Sequence, residues 1–116
     1  MTASFTVAQH FSGRDPTVKA IYAALLRAAL ALGPVREEPK KTSIHLVRNT
    51  AFAGVATRRA GLILTLKAPA DIKSPRIRKH EHASANRWHL DLRLETPGDV
   101  DAELRSWLRA AYALAG

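Results

Sequence analysis

The chain has 116 residues, no cysteine, and 18 Lys and Arg against 10 Asp and Glu, for a formal net charge of +8. This length suits one domain with a core of its own, and the lack of cysteine excludes a disulfide framework and a cysteine-ligated zinc site. The first residues lack the basic start and apolar run of a signal peptide, and no apolar segment is long enough for a bilayer of about 30 Å, so a soluble, cytoplasmic protein is expected.

Residues 1–14 carry scattered apolar anchors at Phe5, Val7 and Phe11, followed by a Ser12-Gly13 break. They predict an irregular arm that lays its aromatics on the core, with a frayed terminus as the alternative for the first four residues. Asp15-Pro16 then reads as a helix start, because Asp caps free N–H groups and Pro suits the first helical position. Val18, Ile21, Tyr22, Leu25, Ala29 and Leu32 recur at helical spacing, and Gly33-Pro34 ends the run, Gly taking the left-handed conformation there.

A charged link from Arg36 to Lys41 follows, after which the apolar period changes from about 3.6 to 2. In Ser43 to Arg48, Ile44 and Leu46 point one way, His45 and Val47 the other. Asn49-Thr50 is a turn, and Phe52 to Thr57 returns as a second strand, softened by Gly54. Arg58 to Gly61 turns the chain into Leu62 to Lys67, whose leucines share one face, so the three strands form an antiparallel meander.

The connection from Ala68 to Asn86 exceeds the roughly 12–15 residues beyond which structureless loops are uncommon, and Ile72 and Ile77 are the apolar handles that pin it. In Arg87 to Glu95, Trp88, Leu90, Leu92 and Leu94 alternate with Arg87, His89, Asp91, Arg93 and Glu95, as in a sheet with one face on a core. Thr96 to Asp99 turns into a last helix with Val100, Leu104, Trp107, Leu108, Ala111 and Leu114 as its buried stripe. Asp99, Asp101 and Glu103 crowd its positive end. The expected fold class is α+β: an antiparallel β-sheet of about four to five strands, with an N-terminal and a C-terminal helix packed on one face and residues 1–116 forming a single domain.

Thr6-Val7 with Phe11 and Gly13, Ile21-Tyr22, Leu32 to Val35, Lys41 with Ile44, Phe52-Ala53, Leu62 to Leu66, Ser74-Pro75-Arg76, Arg87-Trp88-His89, Asp99 with Asp101, and Trp107-Leu108 with Ala110 to Tyr112 form a composite pattern. From Thr6 to Ala115 the chain resembles a family of small bacterial domains of unknown function. The resemblance implies a two-helix α+β domain with an antiparallel sheet, and no activity. Trp88 stands where members of that family often have the first of two adjacent histidines, and the Arg58 to Gly61 turn is shorter than usual.

Between residues 58 and 93, Arg58, Arg59, Lys67, Lys73, Arg76, Arg78, Lys79, Arg87 and Arg93 outnumber Asp71, Glu81 and Asp91. Such a field draws in phosphates, carboxylates, nucleic acid or an acidic partner without choosing among them. The plain alternative is a solvated surface on which Asp91 pairs with neighbouring arginines. The sharper expectation is an anion site made of Arg76, His89 and Lys67: if the Leu62 and Arg87 strands pair, Lys67 and His89 share a polar face, over which the loop folds Arg76. Guanidinium donates as a planar fork, and imidazole donates or accepts near neutrality.

A metal site would draw on His80, Glu81, His82 and His89, but the ligand spacing is irregular, and no metal or cofactor is expected. Hydrolysis would draw on Ser74 or Ser84 with His89 and Asp91, without a nucleophile elbow, and enzymatic activity is left open. The expected function is binding of an anionic small molecule or an acidic protein. The alternatives are a nucleic-acid-binding accessory protein and, third, an enzyme using Arg76 and His89. Nucleic acid ranks lower because Trp88 and Trp107 both fall on core stripes, which leaves no stacking platform.

Overall fold

A computed structural model describes residues 4–116, and the alternative of a frayed terminus falls in part outside them. Helix α1 (Pro16–Leu30) is followed by six strands, β1 (Arg36–Pro39), β2 (Ile44–Val47), β3 (Ala51–Thr57), β4 (Leu62–Ala68), β5 (Ile77–Ser84) and β6 (Arg87–Leu94), and then by α2 (Ala102–Leu114). The strands form one antiparallel sheet in the order β1-β2-β3-β4-β6-β5.

The centre of this sheet is the pairing of β4 with β6, in which Leu62, Leu64 and Leu66 sit opposite Leu94, Leu92 and Leu90. Side chains alternate across a strand, so these leucines all point to one face, and all six are fully or almost fully buried. Ile21, Tyr22 and Leu25 of α1 and Leu104, Leu108 and Ala111 of α2 join five of them in one core, so both helices cover that face, while Leu90 packs in a smaller cluster with Ala68 and Ile77. Each fully buried leucine contributes about 1.5–3 kcal/mol. Among the described residues no helix covers the other face of the sheet, which receives the polar members of the alternation.

Sequence reading and structure differ at four places. Arg36–Pro39 is an edge strand and not merely a charged link, and Ile77–Ser84 makes a second edge strand of what reads as a loop, so the sheet has six strands where four to five are expected. Only Ile77 of β5 is buried. Backbone pairing and polar side-chain contacts hold the rest, which leaves no apolar periodicity to read, and its charged residues protect an exposed sheet edge. Strand β1 is tied down by Tyr22, whose hydroxyl donates to Glu37 at 2.5 Å. Burial and this bond push the Tyr22 phenol pKa well above its ordinary value.

The third difference lies at the helix ends and the arm. Asp15 caps α1 as expected, accepting from the Thr17 amide at 2.9 Å, but the helix stops at Leu30 with Ala31 still right-handed. Gly33 instead has φ 149°, and a Cβ there would collide with the Tyr112 hydroxyl, which donates to the Pro34 carbonyl at 3.0 Å. In the arm, Val7 and Phe11 pack on the core, Phe11 at 5.3 Å from the Tyr22 ring, whereas Phe5 stays 40% exposed.

The fourth is a bulge in β3. The register shifts between Leu46 and Val47, whose partners are Ala53 and Ala51, so Phe52 is left without a partner. By strict alternation Phe52 would share the open face with Gly54. The bulge turns it inward, where it is fully buried and meets Tyr112 edge-on at 5.3 Å. The open face beside Gly54 is thereby cleared of a large side chain.

The Tyr22 bond makes β1 dependent on α1. Tyr22→Phe is expected to cost about 1 kcal/mol, or roughly 4–8 °C in Tm for a domain of this size, and to speed amide exchange at Arg36 to Glu38 before β4 or β6. Unchanged exchange in β1 would contradict this role.

Candidate functional site

The uncovered face of the sheet is built by register. His45 lies opposite Gly54, Gly54 opposite Thr65, and Thr65 opposite Asp91; one row along, Lys67 lies opposite His89, and His89 opposite Glu81. Gly54 puts no side chain into its row. The result is a concavity of about 290 Å³ bordered by His45, Thr65, Lys67 and His89, with Ala51, Ala53, Gly54 and Ala56 of β3 as its floor. A second depression, of about 340 Å³, adjoins it, shares Ala51, Lys67 and His89, and reaches Ser84 and Arg87.

The charges around this hollow are unequal in what they are free to do. Thr65 donates its hydroxyl to Asp91 at 2.7 Å, and His89 lies 3.2 Å from a Glu81 carboxylate oxygen through Nδ1. Lys67 is half-buried and forms no salt bridge among the described residues. Burial, with help from Lys40 and Lys67 and against the weaker pull of Glu38, holds the His45 imidazole below its ordinary pKa. Lys67 thus brings a positive charge to the hollow, and His45 brings ring nitrogens that can donate or accept a hydrogen bond.

Of the three residues expected to converge, Lys67 and His89 do so and Arg76 does not. Arg76 sits on the helix side of the sheet, where its Nη1 lies 3.0 Å from Asp101 and 3.0 Å from Glu103, and its Nη2 donates to the Asp99 carbonyl at 2.9 Å. Its guanidinium also lies 5.5 Å from the centre of the Trp107 ring. Asp101 at the same time caps α2 by accepting from the Leu104 amide at 3.0 Å. The acids that crowd the start of α2 therefore claim the arginine, and Arg76 joins the entry to β5 to that helix.

Other sequence candidates divide in the same way. His80 and His82 alternate onto the helix side, His80 within 2.5 Å of Asp71 and His82 stacked on Trp88 at 4.3 Å, while Glu81 and His89 face the open side. Among the described residues no group of three metal-ligating side chains is assembled. Ser74 accepts from the Arg76 amide at 3.2 Å, and Asp91 is held by Thr65, so neither meets His89 as a triad requires. Trp88 and Trp107 are engaged with His82 and Arg76.

His45 and Gly54 belong to the site but stand outside the expected set. Both left a signal in the sequence. His45 alternates with Ile44 and Leu46, which places it opposite the core, and a lone glycine inside a strand often marks a close approach by another group.

The family model described as Domain of unknown function (DUF5655) matches residues 7–115, so the chain belongs to that family. No curated protein and no solved structure matches the chain. The family match agrees with the resemblance drawn from the residues themselves. No helix among the described residues is long and apolar enough to cross a membrane.

The Arg76 cluster makes a stability prediction. Arg76→Ala is expected to lower Tm by several degrees, since a partly exposed charged cluster of this kind contributes on the order of 1 kcal/mol. The Leu104 amide and then Arg76 hold the Asp101 carboxyl below its ordinary pKa. A carboxyl depressed in the folded state stabilises above its unfolded pKa and loses that contribution as the pH falls through the folded one. The Tm gap between wild type and Arg76→Ala should therefore narrow below about pH 4, and a gap constant with pH would contradict the pairing.

Proposed function

We propose that this member of the DUF5655 family is a binding module for a small anionic ligand, held on the open face of the sheet by Lys67 with His45 and His89. The observation that carries the reading is Lys67 itself: a half-buried ammonium, without a salt bridge among the described residues, where two depressions meet. A partly desolvated charge is costly when unpaired, and an incoming carboxylate or phosphate offsets that cost. Imidazoles on either side supply directed hydrogen bonds, and the surrounding basic surface speeds encounter. The nucleic-acid alternative has charge in its favour, but both tryptophans, the best stacking surfaces, are engaged, Trp88 with His82 and Trp107 with Arg76. Arg76 enters this reading only as a support of the fold.

The test is an NMR titration with sodium benzoate and, separately, sodium phosphate, which follows the His45, Gly54 and His89 signals. At least one of the two anions is expected to shift all three in the wild type. Lys67→Gln should weaken that binding about tenfold or more, whereas Arg76→Ala, once shown to be folded, should leave it unchanged. Burial, Lys40 and Lys67 disfavour protonated His45, and a bound anion offsets the lysine charge, so binding takes up a proton and strengthens as the pH falls below the ordinary imidazole value of 6.5. Equal affinity in wild type and Lys67→Gln would count against the reading.

A further inference from the structure

We infer that the ligand of this hollow is a monocarboxylate with a flat apolar body, of the aromatic carboxylic acid class, in preference to inorganic phosphate or a phosphate ester. The inference rests on the anion-binding reading and adds the shape and charge of the ligand. Three observations carry it. The first is charge: among the described residues that line the hollow Lys67 is the one lysine or arginine, His89 has its Nδ1 engaged by Glu81, and burial beside Lys40 and Lys67 disfavours the charged form of His45. Asp91 stands one strand beyond Thr65. A single negative charge matches this set, and a phosphate dianion would add charge that the hollow does not compensate.

The second observation is the floor. Alanines surround Gly54, no hydroxyl or amide side chain rises from this part of β3, and the hydroxyls on the lining are those of Ser43 and of Thr65, the latter given to Asp91. Phosphate needs donors around all its oxygens, whereas a ring needs only a flat apolar surface on which to lie. A volume of about 290 Å³ lies at the small end of ligand pockets, which begin near roughly 300 Å³.

The third is that the space is not required by the fold. Gly54 has no positive φ, and a Cβ built on it would meet only the His45 ring at 3.8 Å and the Thr65 Cβ at 4.0 Å, which are ordinary contacts. A side chain here would favour the strand, because glycine inside a strand costs stability. Phe52, which alternation would put on the same face, is turned into the core by the bulge. The sequence thus keeps open a flat gap that folding would fill. A ring lying over Gly54 fits between the His45 imidazole and Thr65, with its carboxylate towards Lys67 and His89.

Calorimetry with sodium benzoate, sodium acetate and sodium phosphate on wild type, Gly54→Ala and Gly54→Val tests this, with Tm measured for each protein. Benzoate is expected to bind the wild type about tenfold more tightly than acetate or phosphate. Gly54→Val should lose at least that factor for benzoate while its Tm is equal to or above that of the wild type. Gly54→Ala, which adds one methyl, gives a smaller loss in the same direction and serves if valine disturbs the strand. If phosphate or acetate binds as tightly as benzoate, or if folded Gly54→Ala and Gly54→Val bind benzoate as the wild type does, the aromatic class is overturned while anion binding at Lys67 stands. If none of the three anions binds, both readings fall.

Discussion

The pairing of β4 with β6 sets the terms for everything else in this molecule. Two strictly alternating strands lie side by side with their leucines in register, so one face of the sheet must be covered, and α1 and α2 cover it. The same register delivers Thr65, Lys67, His89 and Asp91 to the other face as neighbours. A slip of one residue would bury these polar groups and expose the leucines, so the packing that stabilises the core also fixes the site. Core and site are two sides of one constraint.

This division explains why a surface so rich in arginine and lysine does not act as one unit. Arg76 lies on the helix side, where Asp101, Glu103 and the Asp99 carbonyl surround it at the start of α2. Lys67 lies on the open side, where Thr65 already occupies Asp91 and Glu81 is nearer to His89. The sheet stands between the two cations. One is consumed by holding the β5 entry to a helix, and the other, among the described residues, has no salt-bridge partner at its hollow.

Much of the architecture was legible in the chain because it is written in apolar periodicity. The helical stripe from Val18 to Ala29, the leucines of β4 and β6, and the Asp15 cap all lie where their spacing puts them. Strands β1 and β5 were not legible because almost nothing in them is buried; their stability comes from backbone pairing and from long-range bonds such as Tyr22 to Glu37. Half of the candidate site followed from alternation, since Lys67 and His89 face the same way once their strands pair. Arg76 could not be placed that way, because loop direction depends on partners distant in sequence. The contribution of Gly54 emerges only when the Phe52 bulge is seen beside it.

The electrostatic link between Lys67 and His45 is the part of the site that can be measured without any ligand. NMR titration of the His45 imidazole in the wild type and in Lys67→Gln tests it most directly. His45 is expected to titrate below its ordinary value of 6.5 in the wild type and to move upward when the lysine charge is removed. A His45 pKa at its ordinary value, or one that does not change on loss of Lys67, would contradict the convergence of these two groups on a single hollow.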